Sequence, residues 1–300
     1  MSNITSDQCM FIGLPGSGKS SFIGALWHVV ESNEIISSYS ISSQPEDREY
    51  LNMLRAAFLS CTPPERTKIE FPKTVELAFK NTETGQTTNF IFPDLSGETY
   101  SNQFSYRKLS EKYVDDLSLS NGIILFVNPH NLRKPNLITD ADPMLAILGG
   151  QDNCEKQSVQ KDIDNSADNL QQWKTEFSQT QVVLVDLLQM VQKQIKLPCR
   201  ISIIISAWDL ILNLREQNSD VNPKVWLKIN LPLLAQYLEA NSEDFIYNIF
   251  GVSAQGGNYI DEEKELMQEI IIPSERIKVQ DENSINNDIT LPIKWILNKV

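Results

Sequence analysis

The sequence predicts an α/β protein with a mostly parallel sheet of about six strands, helices on both faces and one antiparallel strand. Three observations predict it. Short apolar runs recur at Gln8–Gly13, Lys73–Lys80, Thr88–Pro93, Gly122–Asn128, Cys199–Ser206 and Phe245–Ser253. Helical patterns lie between most of these runs. The chain has 300 residues, 41% hydrophobic and 22% charged, which suffices for a sizeable buried core.

Each element follows from local chemistry. The first strand meets a glycine-rich loop, and a helix runs on from about Lys19 to Glu31. The stretch "PEDREYLNMLRAAFLS" (45–60) reads as a second helix, with proline and acids in its first turn. The runs at 74–80 and 88–92 are separated by "NTETGQT", turn chemistry that predicts an antiparallel hairpin. Apolar residues at Val183, Leu184, Leu187, Leu188 and Val191 give Thr180–Lys196 a helical spacing. The segment 222–238 opens with a helix cap and a proline, but Pro232 removes a backbone donor and predicts a break near Leu231. Acids at 261–265 form a solvated helix face, and "LPIKWILNKV" closes the chain as a helix. The stretch 130–170 is polar with almost no apolar periodicity, so it is expected to be a mobile surface insertion in a single domain spanning 1–300. Residues 256–290 read as a further elaboration of that domain.

The net charge is −13 and the isoelectric point near 4.7, which disfavours nucleic acid and anionic lipid as bulk partners. Four cysteines (Cys9, Cys61, Cys154 and Cys199) form no CxxC pair, and only two histidines are present, so thiols in a reducing compartment are expected rather than a metal site or disulfides. No apolar run reaches 18 residues, no secretory signal precedes the first strand, and Ser2 replaces the glycine of a myristoylation signal. A cytoplasmic protein with no membrane partner is expected. His28, His130 and the tryptophans at 27, 173, 226 and 295 read as structural.

The stretch "GLPGSGKS" (13–20) fits G-x-x-x-x-G-K-[ST], between a strand and a helix as a phosphate cradle requires. Glycines let backbone N–H groups turn inward around phosphate oxygens. Lys19 brings a positive charge to the β/γ-phosphates, Ser20 a hydroxyl to Mg²⁺, and the helix start adds its dipole. Gly13, Pro15, Gly16, Ser17, Gly18, Lys19, Ser20 and Ser21 are the phosphate-binding candidates. Later strand ends carry "FPDLSGE" (92–98), "SAWD" (206–209) and "GVSAQ" (251–255). An acid at a strand's carboxyl tip lies on the ligand edge of an open α/β sheet. Asp94 there suits a metal, through water, and Gly97 can present its N–H to a γ-phosphate.

This order of motifs resembles the Ras-like, translation-factor-related class of P-loop GTPases over most of the chain outside 130–170 and 256–290. More narrowly it is similar to the bacterial double-GTPase-type domains of conflict systems, through "DLSGE", "SAWD" and the late "LP-x-x-W" helix. The resemblance implies an Mg²⁺-dependent molecular switch that binds GTP and GDP, hydrolyses GTP and acts through a protein effector or regulator. It makes Asp94–Glu98 the second switch. Asp209 reads the guanine N1–H and 2-amino group, and the Ser253-Ala254 loop donates a backbone N–H to O6. The first switch should supply a threonine to Mg²⁺ and the γ-phosphate; Thr62 and Thr67 are the candidates, and Thr67 lies nearer the strand. Arg66 beside it reads either as a built-in arginine finger or as a surface arginine.

Two departures bear on function. The usual Asn-Lys-x-Asp has become Ser206-Ala207-Trp208-Asp209, and Ala207 lacks a stem to pack over the base. Trp208 either substitutes by stacking or packs in the core. Glu98 stands where many relatives carry Gln to orient the attacking water, which points to slow hydrolysis without a partner. Two alternatives stay open: a nucleotide-binding scaffold that does not hydrolyse, and an ATP-dependent small-molecule kinase. Against the kinase, 130–170 holds only Arg133 and so no arginine-bearing lid.

Overall fold

The computed structural model describes residues 7–64, 74–93, 103–135, 178–213 and 222–297. The elements run β1 (Asp7–Gly13), α1 (Lys19–Ser32), β2 (Tyr39–Ile41), α2 (Arg48–Leu59), β3 (Thr74–Asn81), β4 (Thr87–Pro93), α3 (Glu111–Leu119) and β5 (Gly122–Val127). They continue with α4 (Thr180–Gln192), β6 (Cys199–Ser206), α5 (Trp208–Asn213), α6 (Pro223–Asn230), α7 (Pro232–Ala240), β7 (Phe245–Ser253), α8 (Asp261–Glu269), β8 (Lys278–Gln280), β9 (Ile285–Asn286) and α9 (Leu291–Leu297). One sheet holds nine strands in the order β2-β3-β4-β1-β5-β6-β7-β8-β9. The five central strands, from β4 to β7, pair in parallel.

The six strands expected from the apolar runs are present, and the β3–β4 hairpin is antiparallel as its turn residues require. The expected strand count falls short by three. Among the described residues β2, β8 and β9 have three, three and two residues, too few for a periodic signal, and all lie at the margins. Antiparallel pairing is accordingly wider than one strand, with β2–β3, β7–β8 and β8–β9 also antiparallel. The helix pattern at 222–238 divides at Leu231, because Pro232 begins a new helix. Helix α3 went unread; its signal is a single cap, the Ser110 hydroxyl accepting from the Tyr113 amide at 3.3 Å.

The core explains the apolar runs. Along β1, Cys9 and Phe11 pack into one cluster with α1, α2 and α9, while Met10 and Ile12 pack into another with α4, α6 and α7. Strand β5 divides the same way, Ile124 and Phe126 against Ile123, Leu125 and Val127. A strand buried on both faces has no polar side, hence the unbroken hydrophobic runs. Each such side chain contributes about 1.5–3 kcal/mol. Under the glycine loop, Phe11 meets Phe92 edge-on at 4.2 Å and Phe22 meets Phe126 at 5.2 Å, so the first strand and helix are held firmly where the loop joins them.

His28, Trp27 and Trp226 are buried as structural residues, and Trp295 packs against the core beneath Arg200. His28 Nε2 lies 3.0 Å from Glu34 Oε2, and Arg55 Nε donates to His28 Nδ1 at 3.2 Å. Cys9, Cys61 and Cys199 are buried and form no disulfide among the described residues; Cys154 and Trp173 lie outside them. Most of the 130–170 stretch also lies outside them. Among the described residues no helix is long and apolar enough to cross a membrane.

Candidate functional site

Strand β1 ends at Gly13 and α1 starts at Lys19, so the loop between them turns tightly over the sheet edge. Gly16 and Gly18 have φ of 67° and 92°, left-handed backbone that favours glycine. At Gly18 a Cβ would also lie 2.7 Å from Ser206 Cβ, so the missing side chain lets the β6 loop close on the phosphate loop. Lys19 is 4% exposed, and its ammonium donates to the carbonyls of Gly13 (2.5 Å) and Leu14 (3.0 Å) and to Ser17 Oγ (3.3 Å). The charge is thus carried at the loop's centre, beside the first N–H groups of α1. From the end of β5, Asn128 Nδ2 donates to the Gly16 carbonyl at 2.8 Å, and Asn131 Nδ2 to the same oxygen at 3.3 Å.

The loop forms one wall of a cavity of about 670 Å³. Asp209, Ala254, Gln255 and Tyr259 also line it. Asp209 is 5% exposed, at the start of α5. Ser253 Oγ donates to Asp209 Oδ1 at 2.5 Å and accepts from the Gly256 amide at 2.9 Å. Two of the short motifs therefore meet as one unit, a buried carboxylate braced by a serine from the neighbouring strand end. Burial raises the Tyr259 pKa, partly offset by hydrogen bonding with Ser21 and Gln255.

Pro15, Gly16, Ser17, Gly18, Lys19, Ser20, Ser21, Asp209 and Ala254 all line this cavity. Gly13 lies behind it as an acceptor for Lys19, and Ser253, fully buried, acts through Asp209. Trp208 does not join them. It is fully buried, its Nε1 donates to Gln280 Oε1 at 2.8 Å, and it packs edge-on against Trp226 at 6.4 Å. Stacking on a base through Trp208 is replaced by core packing. Thr62 is tied to the end of α2 through the Ala57 carbonyl and Ser60. Arg66, Thr67, Asp94, Gly97 and Glu98 lie outside the described residues; Pro64, just before Arg66 and Thr67, lines the cavity.

Sequence reasoning missed several cavity residues, among them Asn128, Asn131, Gln255 and Tyr259. Asn128 and Asn131 had a signal, amides directly after a buried strand at the sheet's ligand edge. Gln255 follows the Ser-Ala pair directly. Tyr259 had none, being read within a peripheral elaboration.

A glycine loop that runs into a helix start and lines, with a buried aspartate, one cavity at the carboxyl edge of a parallel sheet is the arrangement of a P-loop nucleotide-binding fold. The chain belongs to the Double-GTPase 1 family, whose model matches residues 10–296. No curated protein matches it. Among solved structures it is similar to the S. cerevisiae Ski7 GTPase-like domain bound to GTP, at 15% identity over 84% of this chain and 43% of that one, with a TM-score of 0.35. It is also similar to the signal recognition particle receptor SRb-GTP/SRX complex from Chaetomium thermophilum, at 14% identity over 86% and 92% of the chains and a TM-score of 0.38. A third is the bacterial selenocysteine-specific elongation factor EF-Sec, at 11% identity over 89% and 28% and a TM-score of 0.33. The chain spans less than half of the Ski7 and EF-Sec chains, and likenesses this loose carry no argument beside the family match.

Proposed function

We propose that this chain is an Mg²⁺-dependent GTPase switch that acts through a protein partner. The observation that carries the reading is the convergence of Lys19 and Asp209 on one cavity. In this reading the triphosphate lies along Pro15–Ser21, with Lys19 leaving its own loop carbonyls for phosphate oxygens. Asp209, held by Ser253, accepts from guanine N1–H and the 2-amino group, and the Ala254 amide donates to O6. Among the described residues no group of three His, Cys, Asp or Glu side chains would hold a metal by itself. The Ser20 hydroxyl at the cavity wall suits a hard cation that keeps phosphate and water oxygens. Ser20, Thr67 and Asp94 would hold Mg²⁺, which when bound neutralises charge developing on the phosphates. Thr67 and Gly97 would engage the γ-phosphate and release their segments after hydrolysis, and Glu98 would face the attacking water.

The chain as one GTPase domain, the stretches 130–170 and 256–290 as partner surfaces, and a cytoplasmic role in bacterial conflict systems belong to the same proposal and rest on the family resemblance. Calorimetric titration with GTP, GDP and ATP plus Mg²⁺ tests it. Wild type should prefer guanine nucleotides, Asp209→Ala should lose that preference, and Lys19→Ala should bind none of the three. Equal binding of ATP, or an unchanged preference in Asp209→Ala, overturns the base assignment. Phosphate release from GTP separates a switch from a scaffold that only binds.

A further inference from the structure

Among the described residues, one buried polar atom of a cavity-lining side chain, Gln255 Oε1, has no hydrogen-bond partner. Gln255 is 6% exposed. An unsatisfied buried carbonyl costs about 1–3 kcal/mol, so such groups are nearly always met by a partner when the protein is at work. Its neighbours show which part of a nucleotide it faces. Gln255 is two residues from Ser253, which braces Asp209 at the base end. Tyr259 lines the same cavity within hydrogen-bonding range of both Gln255 and Ser21, and Ser21 directly follows the phosphate loop. The Tyr259 phenol thus bridges the phosphate end and the base end, and the charge of Asp209 reaches it. The stretch between those ends is where a nucleoside must lie. The site also needs a flat apolar wall there, because Ala207 has no stem and Trp208 is sequestered against Gln280 and Trp226. Phe22 and Phe126, the other aromatic rings at the cavity, are fully packed in the core, whereas Tyr259 is partly open.

Resting on the guanine-nucleotide reading above, we propose that Gln255 and Tyr259 form a second reading face for the nucleoside: Gln255 Oε1 accepts a hydrogen bond from it, and the Tyr259 ring lies against it. The donor is either the free N–H of the guanine 2-amino group or a ribose hydroxyl. Both are donors a carboxamide oxygen accepts from, and both would stand between Asp209 and Ser21. Tyr259 lies in the segment 256–290, so that segment completes the site as well as decorating it.

Titration of the full chain with GTP, inosine triphosphate, 2′-deoxyGTP, 3′-deoxyGTP and ATP tests the proposal, with unfolding curves as a folding control. Gln255→Met keeps the volume and removes the acceptor. It should weaken GTP about tenfold and narrow one ratio by the same factor: GTP to inosine triphosphate if the donor is the 2-amino group, GTP to a deoxy analogue if it is a hydroxyl. Gln255→Glu, which retains an acceptor, should keep that ratio. Tyr259→Leu should weaken GTP and ATP alike by about tenfold, since stacking is insensitive to the base. If Gln255→Met binds every analogue as wild type does, or loses all of them by one common factor, no donor is read there and the inference falls. An unchanged Kd in Tyr259→Leu removes the ring from the site. Should Asp209→Ala keep its preference for GTP over ATP, the parent reading fails; should Asp209→Ala behave as proposed and Gln255→Met not, only this inference fails.

Discussion

The Ser253 hydroxyl is shared between two partners: it donates to the Asp209 carboxylate across 2.5 Å and accepts from the Gly256 amide across 2.9 Å. The amide polarises the hydroxyl, and the hydroxyl fixes the carboxylate's plane. A charge-assisted bond of this kind contributes about 1.5–3 kcal/mol. Ser253→Ala should therefore raise the Kd for GTP about tenfold or more while changing that for ATP little, because on the proposed reading only guanine uses the oriented carboxylate. Calorimetry with both nucleotides checks this, and an equal loss for both would refute it.

The phosphate loop is held from a different side. Asn128 and Asn131 both donate to the Gly16 carbonyl, at 2.8 and 3.3 Å, from the end of β5. Removing the shorter bond loosens the loop without touching the base pocket. Asn128→Ala should weaken GTP and ATP by a similar several-fold factor, about 1 kcal/mol for one hydrogen bond. Stopped-flow release of a fluorescent nucleotide should show the change in the dissociation rate. A selective loss of GTP would contradict the assignment.

Much of this was legible in the residues. The six buried strands show because burial on both faces leaves unbroken apolar runs, and the phosphate loop shows because glycine, lysine and serine each answer one geometric demand. The junction of Asp209 with Ser253 was legible as two strand ends in the right order. What was not legible depends on tertiary packing. Strands of two or three residues carry no period. The fate of Trp208 is decided by Gln280, 72 residues away, which accepts from its Nε1. Tyr259 enters the cavity only because β8 pairs with β7 and folds the intervening segment back toward the sheet edge.

The two-histidine composition gives a clean view of one buried titration. His28 is lowered from its ordinary value of 6.5, chiefly by burial, with Arg55 and Arg276 adding to the depression and Glu34 opposing it. The unfolded chain therefore takes up a proton near pH 6.5 that the folded chain still refuses. Stability is full above that pH and falls as pH drops through 6.5 toward the lower folded value. The thermal midpoint of wild type should decline between pH 7.5 and 5.5. His28→Gln should start lower at pH 7.5 but decline less over the same range. Parallel curves for the two proteins would rule out His28 as the source.

Gly251 on β7 touches the face of Trp208: a Cβ there would lie 2.3 Å from the indole ring. Trp208 directly precedes Asp209, so the ring's seat sets where α5 begins and where its carboxylate points. Neither partner can yield easily, because the indole is pinned by Gln280 and the glycine by its pairing with Ile205 on β6. Gly251→Ala should cost about 1–3 kcal/mol of stability through overpacking, visible as a lower midpoint in urea. It should also shift the ratio of GTP to ATP affinity, since the displaced ring moves Asp209, the proposed base reader. Trp208→Phe relieves the clash and forfeits the bond to Gln280. The double variant should therefore be more stable than the two single losses predict, and a double-mutant cycle showing simple additivity would mean that the two residues do not constrain each other.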